Sequence, residues 1–198
     1  SALLYVNDYN IISGGDGPKY IKHIEKLIAA GAKVDGIGVQ GHFGRKINTA
    51  HVKKTLDSLA KFKLPIKVTE FDINTSDEKA KASNLVAFYR TCFAHPAVEG
   101  ILMWGFWEGR HWRPKAALWK RDFTPTPAAK AYRKLVYETW WTRWTGKADA
   151  SGRCEVPAYF GRHVVKVDGE SIEIDLLRAH GGVQLDARKA IGANLKSR

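Results

Sequence analysis

At 198 residues, with 44% hydrophobic side chains and seven tryptophans, the chain can build one packed domain plus a small appendage, which excludes a disordered segment. It has no apolar run near the length of a membrane span and no basic-then-apolar leader at Ser1, so neither a membrane protein nor a retained signal segment is expected. The net charge of +12 invites a nucleic-acid reading, but Lys19, Lys22, Lys26, Lys53, Lys54, Lys79 and Lys81 sit along helix-like segments with no nucleic-acid motif, so solvated faces explain them.

In chain order, Leu3 to Asp8 reads as an apolar strand that turns polar at Asn7-Asp8-Tyr9-Asn10. Gly14 to Pro18 is a loop, and Pro18 suits a helix start. Tyr20, Ile21, Ile24, Leu27 and Ile28 then recur at helical spacing until Gly31. Gly36 to Val39 is a short strand leading into Gln40-Gly41-His42-Phe43. A second helix starts from Asn48 or Thr49, either a suitable cap, and runs through Val52, Leu56 and Leu59. Pro65 to Ile73 is a third strand, with β-branched Ile66, Val68 and Thr69 after an initial proline. A third helix spans Asp77 to His95, stopped by Pro96, and Gly100 to Trp104 is a fourth strand. After a long loop, Gly105 to Phe123, a fourth helix begins at Pro127 and is expected to reach Trp144. From 145 to 190 the glycine-punctuated runs Cys154–Phe160, His163–Val167 and Ser171–Leu177 predict a small antiparallel β appendage, with 191–198 a frayed tail.

Four strand–helix units in succession predict an α/β architecture of parallel strands joined by right-handed crossovers. Every predicted strand ends in polar or aromatic groups: Asn7 to Asn10, Gln40 and His42, Glu70 and Asp72, and Trp104 followed by Trp107 and Trp112. A lone strand-end histidine is ordinarily structural, Asn-Asp-Tyr-Asn alone could be a turn, and tryptophans fill cores. Four such ends together point to a site, because parallel α/β barrels work at the C-terminal ends of their strands. Glu70 and Asp72 are two apart and so share a strand face, which makes Glu70 the first candidate for a catalytic carboxylate.

These segments resemble glycoside hydrolase family 10, the retaining endo-β-1,4-xylanases. The matching motifs are Leu-Tyr-Val-Asn-Asp-Tyr-Asn, Gly-Ile-Gly-Val-Gln-Gly-His, Val-Thr-Glu-Phe-Asp-Ile and Met-Trp-Gly-Phe-Trp-Glu-Gly-Arg-His-Trp, over Ala2 to Trp144. The resemblance implies strands 5 to 8, the C-terminal half of a (β/α)8 barrel, over residues 1–144. It implies Glu70 as nucleophile, with Gln40 and His42 as its hydrogen-bond partners and Asp72 orienting His42. It further implies Trp104 and Trp112 as a sugar platform and Asn7, Asp8, Tyr9 and Asn10 as a polar edge on the leaving-group side. Flat indole faces suit the apolar faces of xylose rings.

The family's acid/base glutamate belongs to strand 4, a position this sequence does not contain. The expected function is therefore the nucleophile-bearing half of a xylanase, with a non-catalytic carbohydrate-binding or assembly fragment as the alternative. Expected partners are xylan or xylo-oligosaccharides, and either an N-terminal half-barrel or a second copy. No nucleic acid, membrane, metal or cofactor is expected: Cys92 and Cys154 lie far apart and read as buried or free thiols. The resemblance implies a secreted or periplasmic setting.

Overall fold

The computed structural model describes residues 2–177, and the expected tail at 191–198 lies outside them. The chain divides into two compact units at Leu135/Val136, nine residues before the expected boundary.

The first unit alternates strand and helix: β1 (Tyr5–Asp8), α1 (Gly17–Ala29), β2 (Gly36–Phe43), α2 (Thr49–Leu59), β3 (Ile66–Ile73), α3 (Glu78–Ala94), β4 (Val98–Met103) and α4 (Pro127–Lys134). The strands pair in parallel in the order β1-β2-β3-β4, half of a barrel wall. Short polar side chains start the helices. Asn48 accepts from the His51 N–H, Asp77 from that of Ala80 and Thr126 from that of Ala129.

One sheet face is the core. Ile37, Val39, Ile66, Val68, Phe71 and Ile73 are buried against Tyr20 and Ile24 of α1, Val52, Leu56 and Leu59 of α2, and Leu85, Phe88 and Cys92 of α3. Phe71 stacks on Phe88 at 4.3 Å, nearly parallel, which fixes β3 on α3. The other face is polar. Lys67 Nζ sits 4.5 Å above the Tyr5 ring, and Thr69 donates to Asn7 Oδ1 at 2.7 Å across Gly38. A Cβ on Gly38 would stand 2.6 Å from that oxygen, so only glycine lets β1 and β3 meet over β2.

Two expectations need correction. The fourth helix stops at Lys134 instead of Trp144, because its hydrogen-bond register widens to a π-type turn over Leu135–Thr139. The aromatic and β-branched residues beyond, Trp140 to Thr142, are weak helix formers that do not restart it. Cys154–Phe160 is not a strand, since Pro157 removes a ladder donor at its centre and the segment is exposed throughout. Among its described residues the second unit has one antiparallel hairpin, β5 (Gly161–Val167) and β6 (Glu170–Leu176), turned by Asp168 and Gly169, both at positive φ.

Candidate active site

The C-terminal ends of the four parallel strands meet in one cleft of about 420 Å³, lined by Tyr9, Asn10, Ser13, Gln40, His42, Glu70, Trp104, Trp112 and Arg113. A register shift brings its centre together. Val39 pairs with Val68, but Gln40 pairs with Glu70, so Thr69 is the extra residue of a bulge and Glu70 faces the same side as Gln40. His42 and Asp72 pair two residues further on.

Glu70 is held at both oxygens. Gln40 Nε2 donates to Oε1 at 2.9 Å, and His42 Nε2 lies 2.9 Å from Oε2. Two such contacts, one to each oxygen, fix the plane of the carboxylate. The Glu70 side chain is 16% exposed, open enough to meet a ligand and enclosed enough to strengthen these contacts.

Behind His42 lies Asp72, with its side chain only 1% exposed. Its Oδ2 stands 3.1 Å from His42 Nδ1, an ion-pair distance off the line of a hydrogen bond, and accepts the Trp112 indole N–H at 2.8 Å. Arg113 reaches to 4.0 Å of Oδ1. The His42 ring thus stands between the two carboxylates, Nε2 toward Glu70 and Nδ1 toward Asp72.

Trp112 also touches the His42 ring edge-on, centroids 5.0 Å apart, and the Arg113 guanidinium covers one of its faces at 4.0 Å. That leaves the opposite face for a ligand. Trp104 stands at the end of β4, 43% exposed and 6.4 Å from His42. Tyr9, 67% exposed, forms the far rim with Asn10, whose Nδ2 donates to Asp16.

The structure thus brings Tyr9, Asn10, Gln40, His42, Glu70, Trp104 and Trp112 to one cleft and sets Asp72 directly behind it. Asn7 and Asp8 are not among the lining residues: Asn7 accepts from Thr69 and Asp8 from the Tyr9 N–H. Sequence reasoning missed Ser13 and Arg113. Ser13 carries no signal there, whereas Arg113 directly follows a tryptophan already singled out. Among the described residues no second carboxylate lines the cleft. Glu108 is committed elsewhere, accepting the Arg121 N–H at 3.1 Å with Lys120 at 3.7 Å. No group of three or more His, Cys, Asp or Glu suited to a metal occurs among the described residues, and no helix there is long and apolar enough to cross a membrane.

Comparison with known proteins agrees with this arrangement. The glycosyl hydrolase family 10 model matches residues 1–135. Anti-sigma-I factor RsgI6 of Acetivibrio thermocellus is 38% identical over 194 residues, 95% of this chain and 25% of that protein. Endo-1,4-beta-xylanase 1 of Arabidopsis thaliana is 34% identical over 200 residues, covering 99% of this chain and 21% of its own. Among solved structures, native xylanase 10B from Thermotoga maritima superposes with a TM-score of 0.63 at 28% identity, over 70% of this chain and 48% of that one. Xylanase 10B from Thermotoga petrophila, in complex with xylobiose, gives 0.62 at 28% identity, over 70% and 47%. The chain therefore spans a quarter or less of these curated relatives and about half of the solved xylanases.

Proposed function

The chain belongs to glycosyl hydrolase family 10, and from that premise we propose that it is the nucleophile-bearing half of a retaining glycosidase acting on xylan. The observation that carries this reading is the grip on Glu70: two side-chain nitrogens, each at 2.9 Å, aim one carboxylate into a cleft walled by indoles. A carboxylate that attacks an anomeric carbon must be aimed, and this arrangement supplies the aim.

In the proposed reaction a Glu70 oxygen forms a bond to the anomeric carbon as the glycosidic bond breaks. The electron pair leaves with the glycosidic oxygen, which takes a proton from an acid that the described residues of this cleft do not supply. Water, deprotonated by the same group, then displaces Glu70 and regenerates the carboxylate. In retaining enzymes the acid stands about 5–5.5 Å from the nucleophile. It would come from a complementary half-barrel, whose strands would also pack on the open polar face around Tyr5, Lys67 and Thr69. A second copy closing the barrel would supply two nucleophiles and no such acid, so hydrolysis would be feeble.

The lack of a second carboxylate in the cleft among the described residues favours one other reading, a fragment that binds xylo-oligosaccharides without turnover. A mechanism-based fluoro-xyloside separates the two. Incubated with the chain and its barrel complement, it should add one sugar mass to the peptide containing Glu70, and Glu70→Ala should prevent this while leaving oligosaccharide binding intact. Label on another residue would overturn the nucleophile assignment. Binding by the completed barrel with no label at all would favour the non-catalytic reading.

A further inference from the structure

We infer that His111 is a positioning residue: it sets the backbone that seats Trp112 on Asp72, and so fixes the wall behind Glu70. The consequence for catalysis rests on the glycosidase reading above, but the structural claim does not.

His111 does not touch the cleft. It lies 8% exposed under the loop after β4 and follows no strand-end pattern. Its Nδ1 accepts the backbone N–H of Arg113 at 3.0 Å, a bond from side chain to residue i+2 that closes a tight turn with Trp112 at its middle. That turn projects Trp112 so that its indole N–H reaches Asp72 at 2.8 Å, and sets the Arg113 guanidinium 4.0 Å over the indole face. Asp72 in turn stands 3.1 Å from His42, and His42 2.9 Å from Glu70. One acceptor atom therefore begins a chain of contacts that ends on the proposed nucleophile.

The surroundings are built to hold this ring. Gly105, at φ +76°, packs against it, and a Cβ at that position would come within 3.0 Å of His111 Cδ2. Because Nδ1 must accept, the neutral ring carries its proton on Nε2, which is buried and has no hydrogen-bond partner among the described residues. The charged groups facing the ring come from three elements. Asp72 on β3 favours the protonated ring, whereas Lys81 on α3 and Arg113 on the loop oppose it. Lys81 is itself paired with Glu78 at 2.8 Å. Burial is the largest influence and holds the His111 pKa below its ordinary value, against the pull of Asp72 and the Trp104 backbone. Protonation would place a hydrogen on Nδ1, facing the Arg113 N–H donor 3.0 Å away, and the turn could not persist. The acid form of His111 thus releases Trp112.

The test is heteronuclear NMR of the 198-residue chain, with Trp112→Phe to assign the indole signal. In the wild type at pH 7.5, the His111 ring nitrogens should report the Nε2–H form, and the Trp112 indole proton should be shifted downfield. Titrating His111 with acid should move the Trp112 indole and Arg113 amide signals together with it. His111→Leu, of similar bulk, should cost the Arg113 amide about fivefold in exchange protection, the worth of one ordinary hydrogen bond, with the Val68 amide in β3 far less changed. His111→Asn, whose Oδ1 can accept from residue i+2, should restore both signals. An Nδ1–H form, indole and amide signals that ignore the His111 titration, or equal protection in His111→Leu would each overturn the proposal. If His111→Leu fails to fold, the titration and His111→Asn still decide it. Xylo-oligosaccharide affinity should fall in His111→Leu and return in His111→Asn. NMR changes as stated with no sugar bound by any variant would uphold the positioning role and count against the glycosidase reading alone.

Discussion

Asp72 offers the clearest separation of charge from geometry, because its two isosteric halves do different things. Asp72→Ala removes the acceptor of the Trp112 indole N–H, a bond of 2.8 Å at a residue 2% exposed. A hydrogen bond to a charged group contributes about 1.5–3 kcal/mol. The vacated space and the stranded indole donor place the cost near the upper end, about 3 kcal/mol. For a chain of this size each kcal/mol lowers the melting temperature by about 2–4 °C, so Asp72→Ala should melt about 6–12 °C below the wild type. Asp72→Asn keeps an oxygen for the indole and discards only the charge facing His42 and Arg113. Neither of those groups hydrogen-bonds the carboxylate, so losing the charge should cost less than losing the indole bond, and Asp72→Asn should stay within about 3 °C. Differential scanning calorimetry of the three proteins at one pH measures this directly. If Asp72→Asn falls as far as Asp72→Ala, the charge and not the indole bond holds the wall. If Asp72→Ala melts with the wild type, Asp72 ties nothing together.

Phe71→Ala, which removes a ring stacked at 4.3 Å on Phe88 in the core, should destabilise the chain by about 3–5 kcal/mol in urea titration. The Cys92 thiol, buried and pushed up to about 12, should resist alkylation in the native chain while exposed Cys154 reacts, as peptide mass mapping will show. Because the unfolded thiol ionises near 9 and the folded one does not, Cys92 should also lower stability as pH rises from 9 towards 12. His111 acts at the other end. The unfolded chain takes up a proton near pH 6.5 that the folded ring refuses, so stability should decline as pH falls from there to the lowered value, and His111→Asn should flatten that slope. Size-exclusion chromatography with light scattering should show the chain associating with a second copy or a complementary half-barrel. A lone monomer with full xylanase turnover would refute the account of the missing acid.

The sequence made the strand–helix alternation legible because each element carries its own local cause. A β-branched run gave β3, helical spacing gave α1 and α2, Pro96 bounded α3, and the caps Asn48, Asp77 and Thr126 lie where their side chains accept from the first turns. The strand-end residues were legible for a further reason. Polar groups closing apolar strands are poor packing, and such departures from local rules mark sites. What stayed hidden depended on relations between elements. The aromatic run after Lys134 reads as the continuation of an amphipathic face, and nothing local announces the π-type turn. Cys154–Phe160 carries apolar residues but pairs with no strand among the described residues.

The site's decisive feature was hidden in the same way. Read alone, Thr69-Glu70 alternates faces like any strand, so Thr69 and Glu70 should point oppositely. Against β2 the register slips by one residue, and Thr69 still meets Asn7 across Gly38 while Glu70 turns to Gln40. That slip belongs to the pair of strands and not to either one. It delivers a structural side chain and a candidate nucleophile to one face from adjacent positions. Moving the extra residue elsewhere would return Glu70 to the helix-facing side, where Val68 and Phe71 are buried. The bulge at Thr69, more than the identity of any single cleft residue, therefore decides that this sheet presents a carboxylate to the cleft.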